Sequence, residues 1–211
     1  MKRERWTGMV VWIVSLGVFS SWVKQGLLVS WDRAIAAWIV DFQNPALNQA
    51  ARILTWFGSS FFALLLASGM ALGWWFKGRR RNLFIFTGAW LVGSFLHVLL
   101  RLWVGQLRPD VHGESQVALT LLSRIELAGF PSGHAFHSAF LYGWWAQALP
   151  YRRTPWAWVG LIGCVFFILL IGATRVYLHR HWPSDVLGAW LLAGLALTLT
   201  RNFARQIHER S

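Results

Sequence analysis

Near the C-terminal end of the chain, a histidine and an aspartate have the spacing of a catalytic pair. His181 lies four residues before Asp185, with Trp182-Pro183-Ser184 between them. That spacing lets the carboxylate accept a hydrogen bond from one ring nitrogen, which fixes the tautomer and stabilises the charged ring. The other ring nitrogen can then act as a nucleophile or move a proton.

A second histidine follows a segment that suits an anionic group. The sequence Pro131-Ser132-Gly133-His134 predicts the beginning of a helix, because proline is favoured in the first helical turn. The first backbone N–H groups of a helix have no partner within it and bind phosphate well. Gly133 also allows a close backbone approach. The segment therefore predicts a phosphate site beside His134.

Three arginines supply positive charge near these histidines. Arg101 and Arg108 are seven residues apart, so at about 100° per residue they share a helix face if the helix continues to Pro109. Each arginine alone, including Arg175, is explained by snorkelling to lipid headgroups. Together, three forked guanidinium groups match the oxygens of a phosphoryl group.

Acidic residues are too few and too scattered to form a paired group for divalent ions, so a two-metal hydrolase is disfavoured. The chemistry that remains is a histidine nucleophile, a second histidine as acid and an arginine cage for the phosphate oxygens. The single cysteine, Cys164, lies in an apolar run and offers neither a disulfide framework nor a cysteine metal site.

The elements that must position these residues are membrane helices. Of the 211 residues, 56% are hydrophobic and only 13% are charged, against about 25% charged in soluble domains. The formal net charge is nevertheless +12. This combination excludes disorder, and the thin scatter of the basic residues counts against nucleic-acid binding. An integral membrane protein fits best.

We predict an all-α, polytopic fold with six transmembrane helices in one domain, residues 1–211. The six spans are Trp6 to Val23, Phe57 to Phe76, Asn82 to Leu100, Phe130 to Tyr151, Thr154 to Thr174 and Val186 to Thr200, the last being short unless it begins near Pro183. With the N-terminus inside, twelve of the 20 Lys and Arg lie in the short inner segments. Both termini should therefore face the cytoplasm, and the motifs should meet at the outer face.

A short amphipathic helix is predicted between the first two spans. Its apolar residues, Trp31, Ile35, Trp38, Ile39 and Phe42, recur at helical spacing. The charged residues Asp32, Arg33 and Asp41 are predicted to lie off that face. Such a helix lies in the headgroup layer, either as a structural plug over the bundle or as a platform that guides a lipid substrate.

The order and spacing of the motifs resemble those of a known family. Arg101 with Arg108-Pro109, then Pro131-Ser132-Gly133-His134, and then Thr174-Arg175 with His181 and Asp185, look like the three signature motifs of the type-2 phosphatidic acid phosphatases, membrane lipid phosphatases related to vanadium haloperoxidases. The core motifs extend over residues 101–185. Two departures stand out: Arg101 replaces the usual Lys, and Thr174 replaces the usual Ser.

The resemblance implies a role for each motif residue. His181 attacks phosphorus to form a phosphohistidine, and Asp185 orients it. His134 protonates the leaving oxygen. The phosphate oxygens are held by Arg101, Arg108, Ser132, Gly133 and Arg175. No cofactor and no metal are implied.

The expected activity is therefore metal-independent hydrolysis of the terminal phosphate of a membrane lipid phosphate or diphosphate, on the outer face of the cell membrane. Undecaprenyl diphosphate and phosphatidylglycerophosphate are the leading substrates, with phosphatidic acid also open. The lipid bilayer is the expected partner and nucleic acid is not. An alternative is a lipid-phosphate transporter, or flippase, that uses the arginine cage for binding only. A vanadate-binding haloperoxidase is disfavoured by the six spans.

Other polar residues receive plainer interpretations. His137 should face a neighbouring helix or the pocket wall, and His97 should be an interhelical hydrogen-bond partner. Asp110, Glu114 and Glu126 are interpreted as loop residues.

Overall fold

The computed structural model describes residues 2–110, 120–149 and 154–208. The helices in chain order are α1 (Lys2–Lys24), α2 (Val29–Val40), α3 (Pro45–Trp56), α4 (Ser60–Phe76), α5 (Arg80–Val104), α6 (Leu121–Leu127), α7 (Gly133–Ala148), α8 (Pro155–Tyr177) and α9 (Pro183–His208). Within these described ranges no strand occurs, and Leu107 and Ala128 form an isolated antiparallel bridge. The predicted all-α class is confirmed.

Five segments of the described chain are long and apolar enough to cross a membrane. They are Thr7–Lys24, Pro45–Phe76, Arg80–Val104, Pro155–Tyr177 and Pro183–Ala204. The second combines α3 and α4, and the last begins at Pro183. Many of their large apolar side chains are exposed on the bundle surface, as lipid contact requires. The predicted span over Phe130 to Tyr151 contains α7, which has only 16 residues.

The centre of the bundle is α7, which packs against α4, α8 and α9. Its side chains Phe136 and Phe140 are fully buried, as is Phe86 of α5, which contacts the Phe140 ring. Helix α9 contacts α1 and α5 as well as α7. Helices α7 and α9 therefore form the interior of the bundle, whereas α5, which carries Arg101, is the least buried of the five candidate spans.

The segment between α1 and α4 contains two helices, α2 and α3, where one was predicted. Asn44 caps α3 by accepting a hydrogen bond from the Leu47 N–H (2.9 Å), and Pro45 occupies the first turn. The prediction that Asp32 lies on the polar face of α2 is wrong, because this side chain is only 2% exposed. Its carboxylate faces the start of α9, where hydrogen-bond donors compensate for its burial.

The helix that carries Arg101 stops before Arg108. Helix α5 ends at Val104, and Gly105 adopts a left-handed conformation at φ 67°. The condition for a shared helix face is therefore not met. The next residues run alongside the end of α6, since the Arg108 N–H donates to the Leu127 carbonyl at 3.3 Å.

Candidate active site

His181 and Asp185 form a buried pair at the start of α9. Nδ1 of His181 lies 3.2 Å from Oδ2 of Asp185, and both side chains are almost completely buried. The same carboxylate oxygen accepts the Trp182 N–H at 2.9 Å, which fixes its orientation. Nε2 of His181 lies on the side of the ring away from the carboxylate. The predicted relation between the two residues is present.

A glycine allows this carboxylate to approach the neighbouring chain segment. A Cβ atom on Gly129 would lie 2.6 Å from Oδ2 of Asp185 and 3.4 Å from Cγ of Arg108. The Gly129 N–H donates to the Gln106 carbonyl at 2.6 Å, so the backbone is held at this position. Only glycine fits there without a shift of the carboxylate.

The Pro131-Ser132-Gly133-His134 segment leads into α7 as predicted, but the helix begins at Gly133, so Pro131 lies before the cap and not in the first helical turn. Ser132 is fully buried and caps the helix, with its Oγ 3.5 Å from the Ala135 nitrogen. The Ser132 N–H donates to the Asp185 carbonyl at 3.0 Å, which joins the start of α7 to the start of α9. A Cβ atom on Gly133 would be 3.7 Å from Nε2 of His97. His134 lies within electrostatic range of Arg175 and Arg108.

The guanidinium of Arg101 donates two hydrogen bonds to backbone carbonyls. Nη1 donates to the Ile125 carbonyl at 3.1 Å, and Nη2 donates to the Pro131 carbonyl at 3.2 Å. His97 also binds the Pro131 carbonyl through Nε2 at 2.9 Å. Nε of Arg101 is buried and has no hydrogen-bond partner among the described residues. Arg101 thus connects α6 to the start of α7.

The other two arginines are held differently. Nη1 of Arg175 donates to Oγ1 of Thr55 at 3.2 Å, and its buried Nε has no partner in the described part of the chain. Nε of Arg108 donates to the Ala128 carbonyl at 3.4 Å. Arg108 lies within electrostatic range of both Arg101 and Arg175. The three predicted cage residues therefore converge although they come from separate elements.

Burial and positive charge keep His181 in its neutral form. Burial lowers the pKa of His181 well below its ordinary value, and the positive charges of Arg175, Arg108 and Arg101 lower it further. All three arginines act on this one ring. A neutral imidazole has a lone pair available for attack on an electrophile, and the surrounding cations favour an anionic one.

One ion pair and one indole hydrogen bond connect the segments at the edge of the site. Asp110 lies in a turn after α5, which agrees with its interpretation as a loop residue, and its Oδ2 accepts a hydrogen bond from Nη1 of Arg180 at 2.6 Å. The indole N–H of Trp182 donates to the Leu107 carbonyl at 2.9 Å. These contacts attach the segment after α5 to the loop that carries His181. Glu126 belongs to α6, so its interpretation as a loop residue is wrong. Glu114 lies outside the described residues.

Comparison with known proteins identifies the family. Residues 82–209, more than half of the chain, match the family model described as the PAP2 superfamily. The chain belongs to the PAP2 superfamily. Phosphatidylglycerophosphatase B of Bacillus subtilis (strain 168) is 27% identical over 198 residues, which cover 90% of this chain and 91% of that protein. Lipid A 1-phosphatase of Rhizobium etli is 26% identical, with 74% and 70% of the two chains covered.

Solved structures give the same result. The crystal structure of a transmembrane PAP2-type phosphatidylglycerolphosphate phosphatase from Bacillus subtilis superposes with a TM-score of 0.77 at 25% identity, covering 94% of this chain and 96% of that one. The structure of Aquifex aeolicus LpxE shares the fold with a TM-score of 0.59 at 20% identity, covering 80% and 93% of the two chains. The chain is therefore a multi-pass membrane protein of the PAP2 superfamily.

Within this PAP2 chain, several residues that support the motifs have no motif signal of their own. They are Asp32, Thr55, Gln106 and Gly129. The prediction that His137 faces a neighbouring helix is confirmed, because its Nδ1 accepts the Trp90 indole N–H of α5 at 3.3 Å. His97 is a hydrogen-bond partner as predicted, but its bond goes to the Pro131 carbonyl in the segment before α7 and is not interhelical. In the described ranges, no group of three or more His, Cys, Asp or Glu is placed to hold a metal ion.

Proposed function

We propose that this protein hydrolyses the terminal phosphate of a membrane lipid phosphate or diphosphate through a phosphohistidine intermediate. The observation that carries the proposal is a buried, neutral His181 held by Asp185 and surrounded by three arginines. A neutral nucleophile next to concentrated positive charge matches an attack on a phosphorus atom that bears anionic oxygens.

In the proposed reaction, Nε2 of His181 attacks the terminal phosphorus and forms a P–N bond, while the P–O bond that joins this phosphorus to the rest of the lipid breaks. His134 gives its proton to the leaving oxygen. Water then attacks phosphorus, the P–N bond breaks, and the proton from water returns to His134. Arg101, Arg108 and Arg175, with Ser132 and the Gly133 backbone, stabilise the phosphoryl oxygens, Arg101 through its remaining Nε.

Three lipid classes are proposed as substrates. Phosphatidylglycerophosphate is supported by the relative of 27% identity that matches nearly the whole chain. Undecaprenyl diphosphate is supported by an undecaprenyl-diphosphatase of Sulfolobus acidocaldarius, 38% identical over 64 residues that make up 30% of this chain and 27% of that protein. Phosphatidic acid is the third. Purified protein tested against all three lipids would rank them.

We further propose one integral-membrane domain over residues 1–211, in which α7 is the remaining span of six and α2 lies at the membrane interface. Under the charge rule both termini face the cytoplasm of a cell-membrane protein. The His181 site then opens at the outer face. Cysteines introduced near Asp110 or near Gly78 should react with an impermeant reagent from opposite sides, and labelling from the same side would contradict this topology.

Phosphate release in detergent tests the activity. His181→Ala should abolish release from these lipids, whereas wild-type activity should survive EDTA because no metal step is proposed. Undiminished turnover by His181→Ala would refute the histidine mechanism, and a strict metal requirement would do the same. In vesicles, headgroup translocation without phosphate release would instead favour a transporter.

A further inference from the structure

Asp32 is a buried carboxylate that no motif predicts and that the proposed reaction does not use. It belongs to α2, outside the membrane-spanning helices, yet only 2% of its surface is exposed. Burial of a carboxylate is costly unless hydrogen bonds compensate for the lost water. Because the burial of this carboxylate is costly, we infer that its hydrogen bonds have a specific role.

The contacts of Asp32 all come from donors around the proposed active site. Oδ1 accepts the Ser184 N–H at 2.9 Å, and Oδ2 accepts the Ser184 hydroxyl at 2.6 Å. Oδ2 also accepts the Gln106 side-chain amide at 3.3 Å. The backbone and hydroxyl groups of a residue 152 positions away are thus bound by one carboxylate.

Ser184 occupies the first turn of α9, where backbone N–H groups lack partners within the helix. A carboxylate there satisfies one of these donors and interacts favourably with the positive end of the helix dipole. Burial raises the pKa of Asp32, while the hydrogen bonds from Ser184 and Gln106 oppose that rise. All three contacts are donors to the carboxylate, which suits its ionised form.

Both residues that bind Asp32 are joined to the active-site pair. Ser184 directly precedes Asp185, whose carboxylate holds His181 and whose carbonyl accepts the Ser132 N–H. Gln106 lies between Arg101 and Arg108, and its carbonyl accepts the Gly129 N–H at 2.6 Å. Asp32 therefore links α2 to the segment that carries Arg108 and to the turn that carries Asp185.

We propose that Asp32 is a positioning residue for the phosphatase reaction, which holds the Ser184-Asp185 turn and Gln106 in the arrangement that aligns His181 with the arginines. The inference rests on the proposed function. Asp32 acts through Ser184 and Gln106 and does not bind the phosphate. Helix α2 is accordingly a structural support of the active site as well as a cover of the bundle.

Steady-state kinetics of lipid phosphate release test this role. Asp32→Ala should lower kcat by up to about 100-fold, the effect of a displacement of reacting groups by roughly 1 Å, with little change in KM. Asp32→Asn keeps an oxygen that can accept the Ser184 N–H and should recover part of kcat. Asp41→Ala is the matched control, because Asp41 is an exposed aspartate at the end of the same helix, and it should retain wild-type kcat.

A double-mutant cycle checks the path through Ser184. Ser184→Ala removes the hydroxyl, which donates to Asp32 and accepts the Gln106 amide at 3.5 Å, and keeps the backbone N–H contact with Asp32. Asp32→Ala should therefore have a smaller effect in that background than in the wild type. Hydrogen exchange provides a readout besides activity: in Asp32→Ala, or in Asp32→Asn if the alanine variant does not fold, amides at the start of α9 should exchange faster than in Asp41→Ala.

Several results would overturn the proposal. They are a wild-type kcat in folded Asp32→Ala, strictly additive effects of the two substitutions, unchanged exchange at Ser184, or an effect confined to KM. Failure of the wild-type protein to release phosphate from any of the lipids would instead refute the proposed function. The two failures are therefore distinguishable.

Discussion

Addition of a single methyl group at Gly129 should displace the carboxylate that holds His181. In Gly129→Ala, the new Cβ would lie 2.6 Å from Oδ2 of Asp185, whereas ordinary contact begins at 3.4 Å. The two atoms must therefore separate by about 0.8 Å, the difference between these distances. Asp185 is completely buried, and Gly129 is held by its hydrogen bond to Gln106, so neither side can move without disturbing the site.

A displacement of this size has a calculable effect on the rate. Misplacement of reacting groups by about 1 Å lowers rates roughly 100-fold, which corresponds to about 2.7 kcal/mol of activation free energy. We therefore expect kcat for lipid phosphate release to fall about 100-fold in Gly129→Ala. KM should change less, because the carboxylate orients the nucleophile and does not bind the phosphate.

The assay is inorganic phosphate release by purified protein in mixed micelles, with thermal unfolding measured on the same sample. Gly88→Ala is the matched control, since a Cβ atom at Gly88 meets nothing within 4 Å. It should retain wild-type kcat. A folded Gly129→Ala with wild-type kcat would refute the reasoning, because it would mean that the position of the Asp185 carboxylate does not limit the reaction.

Four further predictions concern pH, Arg175 and Arg101, two of them on pH. Because the pKa of His181 is lowered below 6.5, kcat/KM should persist as pH falls below 6.5, and a loss centred at or above that pH would contradict a neutral nucleophile. The same shift should decrease the free energy of unfolding below pH 6.5, since the unfolded ring binds a proton that the buried ring does not; chemical denaturation at several pH values would measure it. Thr55→Val removes the hydroxyl that accepts a hydrogen bond from Nη1 of Arg175. A hydrogen bond from a charged donor contributes about 1.5–3 kcal/mol, so KM should rise about tenfold or more. Thr55→Ser keeps the hydroxyl and should retain the wild-type KM. Arg101→Lys keeps the charge but loses the fork that joins Ile125 to Pro131, so amides of α6 should exchange faster while phosphate release continues; complete loss of release would show that the fork itself is required.

The sequence predicted the parts of the site that depend on short-range spacing. The four-residue interval places His181 against Asp185, and the Pro-Ser-Gly sequence begins α7 with Ser132 as its cap. The sequence also predicted that the three arginines converge, because the motifs lie at helix ends that a bundle brings together. Their convergence does not, however, use the continuous helix that was predicted from Arg101 to Arg108, since Gly105 ends α5.

The contributions that sequence reasoning missed depend on partners distant in the chain. Asp32 looks like a polar-face residue of an amphipathic helix, and only the positions of Ser184 and Gln106 explain why it is buried. Thr55 has no signal of its own until Arg175 is placed beside it. The family resemblance implied that Arg101 holds phosphate oxygens, but its two terminal nitrogens donate to the Ile125 and Pro131 carbonyls. Periodicity describes one element at a time, so contacts between elements remain outside its reach.

The shortness of α7 affects how a lipid would encounter the enzyme. Its 16 residues extend about 24 Å, less than the hydrocarbon thickness of about 30 Å. In the topology proposed above, with α7 as the sixth span, such a helix leaves one end below the plane of the headgroups, and we propose that this end is the one that carries His134. A lipid whose phosphate reaches that depth keeps its tail among the surrounding membrane lipids throughout the reaction. We expect the turnover rate to depend on the mole fraction of substrate in the membrane surface and not on the bulk concentration of substrate, because encounters are governed by two-dimensional diffusion.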